Sequence, residues 1–199
     1  MHDVRVAVAF HSGYGHTARQ AEAVARGAAS TSGARSSLHD VTTPDGALWA
    51  ALDSADAIVF GTPTYMGGGS AVFQGFAEAT APVWQERRWQ GKLAAGFTNS
   101  AGTNGNKDTA LSALAVFAAQ HGMIWVPLGL APGGEYSSRG SRADLNRLAG
   151  FTGAMAQSPS DLGPDQAPDG SDLRTAEHLG AQVAQAAVRF EHGRRAVAA

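Results

Sequence analysis

The sequence predicts one α/β domain built on a doubly wound, five-stranded parallel sheet, strand order 2-1-3-4-5, with helices on both faces. Three observations carry this expectation. Short apolar runs, of the kind buried on both faces of a parallel sheet, recur at Val4–Phe10, Ala57–Phe60 and Leu93–Phe97. Each is followed by a glycine-bearing loop and then by apolar residues at helical spacing. The chain has 199 residues, 44% of them hydrophobic and 16% charged. That suits a single core and excludes disorder over most of the length.

Val4–Phe10 forms the first strand and opens into Ser12–Thr17. The helix after it carries Ala18, Ala21, Val24, Ala25 and Ala28 on one stripe, and Gly33 stops it. Ser36–Val41 is a weaker strand nearer an edge, and Ala47–Asp53 a short helix. Ala57–Phe60 is the third strand, and residues 61–70 form its loop. Ala71–Ala81 reads as helix, ended by Pro82. Leu93–Phe97 is the fourth strand and Asn99–Asn106 the next loop. Asp108–His121 is helical, Gly122 stops it, and Met123–Val126 is the last strand. Arg174–His192 is the final helix, with Leu179, Val183, Ala186 and Phe190 in register. Strands and helices in this alternation suit a flavodoxin-like sheet over a single domain, residues 1–199. Residues 132–172 break the rhythm. They are rich in Gly, Ser, Pro, Asp and Arg and longer than an ordinary connection, which reads as a lid, a contact arm or a mobile stretch. Within them, Asn146–Gln157 has enough apolar residues to pack somewhere.

Composition removes several function classes. There is no cysteine, so disulfides, thiol catalysis and thiolate metal sites are out, and no metal site is expected. Lys+Arg 15 against Asp+Glu 17 leaves a net charge of −2, with no electrostatic case for nucleic acid or an anionic membrane. His2, Asp3 and Arg5 are unlike a secretory signal, and no apolar run approaches the ~20 residues of a membrane span. The expectation is a cytoplasmic protein.

The 25 glycines concentrate where a doubly wound sheet binds ligands, outside the carboxyl ends of strands at the reversal of strand order. Ser12, Gly13, Tyr14, Gly15, His16 and Thr17 stand between a strand and a helix. Free N–H groups at a helix start can cradle a phosphate, and Ser12 and Thr17 add hydroxyl donors. The same residues also read as a plain helix cap, and His16 alone as a solvated loop histidine. The stretch lacks the Gly-Lys-Ser/Thr ending of a Walker loop, and Ala18 replaces the third glycine of the dinucleotide fingerprint. Pro63, Thr64, Tyr65, Met66 and Gly67 offer a planar ring and a soft thioether as a wall for a flat ligand, or else an ordinary loop. Asn99, Ser100, Gly102, Thr103, Asn104 and Gly105 supply uncharged donors at the end of the fourth strand.

Taken together, these stretches resemble the WrbA-type NAD(P)H:quinone reductases of flavodoxin fold and the related NADPH-dependent FMN reductases. The similarity lies in SGYGHT at Ser12–Thr17, FGTPTYMGG at Phe60–Gly68, the segment from Trp84 to Lys92, Phe97–Thr109, and AQHGM at Ala119–Met123. It covers most of residues 4–130. Tyr65 stands where such proteins often have an arginine, and the region after Ala131 is more like a related bacterial branch with an NRLAGFTGAMAQS stretch at Asn146–Ser158.

The resemblance implies FMN as cofactor, with its phosphate at Ser12–Thr17, its ring along Pro63–Gly67 and its pyrimidine edge at Asn99–Gly105. It implies NADPH or NADH as electron donor and a quinone as acceptor, two electrons passing in ping-pong fashion. It implies that His121 and Trp84 reach the site of a neighbouring subunit in a dimer or tetramer, with Trp84 toward substrate. His121, or less readily Tyr65, would then supply protons. On their own residues, His121 reads as a helix C-terminal histidine and Trp84 as a surface ring. Two other classes fit the same loops: a flavodoxin-like electron carrier, or a flavin-supplying partner of a monooxygenase. Carriers dock through a strongly acidic face, which a net charge of −2 does not suggest.

Overall fold

A computed structural model describes residues 3–198. The strands are β1 (Val4–Phe10), β2 (Ala34–Asp40), β3 (Ala57–Tyr65), β4 (Gly68–Gly69), β5 (Leu93–Ser100), β6 (Ile124–Trp125) and β7 (Ala154–Gln157). The helices are α1 (His16–Ala29), α2 (Gly46–Ser54), α3 (Ala71–Ala79), α4 (Ala81–Gln85), α5 (Lys107–Gln120) and α6 (Gly170–Ala198). The sheet runs β2-β1-β3-β5-β6, all parallel. In terms of the five expected strands this is the order 2-1-3-4-5, so the flavodoxin-like fold is as expected. Two further strands join it: β4 pairs antiparallel with β3, and β7 pairs parallel with β5.

The period-2 pattern of the strands splits the core in two. Val4, Val6, Val8, Ala57, Val59 and Phe97 face α1 and α6. Ala7, Ala9, Ile58, Phe60 and Ala94 face α2, α3, α4 and α5, where Trp89 and Phe76 are fully buried. Burying a ring of this size stabilises by roughly 1.5–3 kcal/mol. Helices α1 and α6 touch backbone to backbone. A Cβ on Gly27 would stand 1.8 Å from the carbonyl oxygen of Glu177, and one on Gly180 1.9 Å from that of Val24.

Several expectations need correction. Strand β3 runs past Phe60 to Tyr65, and β5 past Phe97 to Ser100, so the expected loops begin later and their first residues are buried strand. Met66 and Gly67, both at positive φ, then make the two-residue turn to β4. Pro82 does not end α3. The chain breaks at Thr80 and Pro82 sits in the first turn of α4, where its missing N–H costs nothing. The fifth strand position is divided. Strand β6 pairs only with Leu93 and Ala94, and the chain returns as β7 to pair with Phe97–Ser100. Part of the irregular stretch 132–172 is therefore sheet. Among the described residues, no helix is long and apolar enough to cross a membrane.

Candidate functional site

A cleft of about 500 Å³ opens at the carboxyl ends of β1, β3 and β5. That is within the range of small-molecule sites, ~300–1,000 Å³. Of the predicted residues, Tyr14, His16, Thr17, Pro63, Thr64, Tyr65, Met66, Asn99 and Ser100 line it. Ser12, Gly13, Gly15, Gly67 and the stretch Gly102–Gly105 belong to the same three loops without lining the cleft itself.

The first loop joins β1 to α1. Gly15 is the N-cap of α1, and from further back Ser12 Oγ accepts from the Ala18 N–H in its first turn at 3.1 Å. Among the described residues, the N–H groups of Ser12, Gly13, Tyr14 and Gly15 have no partner, and those of His16 and Thr17 open α1. A run of free N–H groups at the positive end of a 14-residue helix fits a phosphate. His16 is not a free loop histidine. Its Nε2–H donates to the Leu162 carbonyl at 2.9 Å and ties this loop to residues 158–164.

The second wall is polar inside and apolar at the rim. The Thr64 hydroxyl is turned into the sheet, 2.7 Å from Thr98 Oγ1, which itself donates to the Thr62 carbonyl. Tyr65 reaches across the cleft mouth. Its hydroxyl stands 2.4 Å from where a Cβ on Gly13 would be, and its ring meets Tyr14 edge-on at 6.3 Å. Burial, and then the neighbouring Tyr14, push its pKa above the usual phenol value, so it keeps its proton. Met66 is fully exposed at the tip of the turn, and Tyr14 is 77% exposed.

The third wall includes residues that sequence reasoning missed. Asn99 is buried, and its Oδ1 accepts from Ser158 Oγ at 2.9 Å. Ser158, Ser160, Leu162, Gly163 and Pro164 complete the cleft lining. They come from the irregular stretch 132–172, whose unusual length was the one available signal. Lys107, at the start of α5, is wholly buried and donates through Nζ to the carbonyls of Gly102, Thr103 and Asn104. Burial brings its pKa down to about 8, against the opposing pull of Asp172. Asp172 is gripped by Arg147 and also accepts the Gln157 N–H at 2.9 Å. Burial raises its carboxyl pKa, while Arg147 and that N–H draw it back.

Two predicted residues do not join the cleft. His121 is the C-cap of α5, 6% exposed, packed on Trp89 and Phe117 at ring distances of 4.7 and 5.0 Å. Its Nε2–H donates to Thr80 Oγ1 at 2.9 Å, because Thr80 gives its own proton to the Ala77 carbonyl. The remaining Nδ1 is buried without a partner, and burial lowers the pKa, so the ring is neutral near pH 7. Trp84 lies on α4, half exposed and off the cleft. Among the described residues, no group of three or more His, Asp or Glu could hold a metal ion.

Comparison with known proteins agrees with this geometry. The family model of NADPH-dependent FMN reductases matches residues 38–135. A protein named flavodoxin FldP, from Pseudomonas aeruginosa, is 45% identical over 91% of this chain and 95% of its own. An NAD(P)H dehydrogenase (quinone) from Geotalea uraniireducens is 30% identical over 94% of this chain and 99% of its own. The crystal structure of a WrbA-like flavodoxin from Agrobacterium tumefaciens superposes with a TM-score of 0.74 at 41% identity, covering 94% of this chain and 99% of that one. With the fold, the phosphate-ready helix start and these relatives in agreement, the chain belongs to the WrbA-type family of FMN-binding, flavodoxin-fold oxidoreductases.

Proposed function

We propose that the protein is an NAD(P)H:quinone oxidoreductase that works with FMN in the cleft between the three loops. The observation that carries this is the combination, in one cleft, of the unpartnered N–H groups at the start of α1 with an uncharged aromatic rim. When bound, FMN supplies the redox chemistry, a two-electron exchange first with the nicotinamide and then with the quinone. The chain supplies position and electrostatics. Ser12–Thr17 hold the phosphate through backbone N–H groups and hydroxyls. Pro63–Met66 form the wall for the flat ring, and Asn99 with the loop after it meets the polar edge. The exposed Tyr14 and Met66 and the half-exposed Tyr65 give a flat, apolar acceptor a surface to rest on. Tyr65, held protonated, donates from Oη and orients a substrate oxygen without giving up its proton. Protons for the reduced quinone come from solvent at the cleft mouth, since His121 is enclosed elsewhere.

A second reading, a flavodoxin-like electron carrier, is favoured by the 45% identity to the protein named flavodoxin FldP. Against it stand the net charge of −2 and the uncharged rim. One anaerobic experiment separates the two. The FMN-loaded protein is mixed with NADPH or NADH, the oxidised flavin band is followed, and benzoquinone is then injected. Bleaching by a nucleotide and recovery with quinone is the outcome for the reductase. A band that only a chemical reductant bleaches assigns the carrier. Light scattering of the same sample tests our further proposal that it is a homo-oligomer.

A further inference from the structure

The loop after β5 is held from behind by one buried ammonium. Lys107 Nζ lies 2.5, 2.9 and 3.3 Å from the carbonyl oxygens of Gly102, Thr103 and Asn104. In a trans peptide the C=O of one residue and the N–H of the next point opposite ways. The N–H groups of Thr103, Asn104 and Gly105 therefore point away from the ammonium. Among the described residues none of the three has a partner, whereas the next N–H, of Asn106, is taken by Asn104 Oδ1 at 3.1 Å. Three successive donors are thus left free on the face of the loop turned away from the ammonium, where an acceptor-rich edge can meet them. The loop continues directly from Ser100 and Ala101, which line the cleft.

The charge on Lys107 is not stranded. Asp172 of α6 faces it, and Arg147 holds Asp172 with two hydrogen bonds. Three separate parts of the chain thus converge to keep one ammonium under this loop.

We propose that Lys107 is the positioning residue for the ring edge of the cofactor. Its ammonium draws three carbonyls back, which leaves three backbone N–H groups free on the opposite face of the loop that continues from the cleft residues Ser100 and Ala101, and its charge favours the electron-rich, reduced ring. The role rests on FMN occupying the cleft as proposed above.

The test compares the full-length protein with Lys107→Met and Lys107→Gln. Each is stripped of flavin and titrated with FMN by fluorescence quenching, and the midpoint potential is measured by dye equilibration. Lys107→Met is expected to weaken oxidised FMN about tenfold or more, since charge-assisted bonds ordering the loop are lost. It should also lose about tenfold in preference for the reduced flavin, a fall of about 30 mV for a two-electron couple. Lys107→Gln rebuilds part of the hydrogen bonding without the charge. It should recover most of the FMN affinity and keep the lowered potential. A purely structural role would lower the melting temperature of both variants and leave the potential where it was. A folded Lys107→Met with unchanged affinity and potential overturns the proposal. If that variant does not fold, an unchanged potential in Lys107→Gln overturns it. Wild-type protein that binds no FMN sinks the reading of the cleft itself, whereas wild type that binds FMN beside unaffected variants sinks only the role of Lys107.

Discussion

Arg147 grips both carboxylate oxygens of Asp172, Nε to Oδ1 at 2.8 Å and Nη2 to Oδ2 at 2.6 Å, with side chains only 6% and 2% exposed. The pair joins the stretch between β6 and β7 to the first turn of α6, and the Gln157 N–H adds β7 to it. Removing one partner leaves the other charge buried and alone. Asp172→Ala is expected to cost about 3–5 kcal/mol, read from a urea unfolding curve. The apolar double replacement Arg147→Met with Asp172→Leu should recover only part of this, because Lys107 still loses the carboxylate that faces it. A single variant within 1 kcal/mol of wild type, on the order of a surface pair, would show that the pair contributes little.

Close contact of α1 and α6 gives a second prediction. Gly180→Ala places a methyl 1.9 Å from the Val24 carbonyl oxygen, and a backbone atom cannot swing aside as a side chain can. We expect a loss of about 2–3 kcal/mol, from overpacking. Gly75→Ala, in α3 with nothing near its Cβ position, is the control and should gain up to ~1 kcal/mol from helix propensity. Thermal melts of the two variants moving in the same direction would contradict the packing argument.

Lys107 makes stability and cofactor binding respond oppositely to alkali. Its folded pKa, about 8, lies below the ordinary lysine value of 10.5. Below pH 8 both states hold the proton and this group adds no slope. Between about 8 and 10.5 the unfolded chain holds it and the folded one does not, so the contribution of this group to stability rises with pH. FMN affinity should fall over the same range as the ammonium is lost from beneath the loop. Asp172 and Arg147 are the charged groups that face it. Titrations of FMN at pH 7 and pH 9, run for wild type and Lys107→Gln, check this: only wild type should weaken.

His121 is expected to act in packing. His121→Phe keeps the ring against Trp89 and Phe117 and removes a buried nitrogen that has no partner. It should fold within ~1 kcal/mol of wild type and keep FMN binding and NAD(P)H oxidation. His121→Ala, which empties the same space, should cost about 2–4 kcal/mol. Loss of turnover in a stable His121→Phe would restore a chemical role.

The strand order and the three loops were legible in the sequence because strands buried on both faces are written as unbroken apolar runs, and the loops as glycine. Pro63, Thr64 and Asn99 read as loop because proline and polar residues usually end strands. Here they continue β3 and β5, their polar atoms met by other groups at the sheet end. The division of the last strand was hidden because Ile124–Trp125 and Ala154–Gln157 are each too short to announce a strand alone. Lys107 was hidden for a different reason. A lysine opening a helix reads as solvated surface, and only the fold shows three carbonyls and a carboxylate closing over it.

The divided edge of the sheet marks a seam. A cut between Trp125 and Ala154 would leave one piece with β1 through β6 and another with β7 and α6, the first ending on β6 and the second starting on β7, which both pair with β5. The second piece would carry Asp172 and the cleft residues Ser158–Pro164, so neither piece alone would enclose the cofactor. The cleft therefore closes only where both sides of this seam meet on β5.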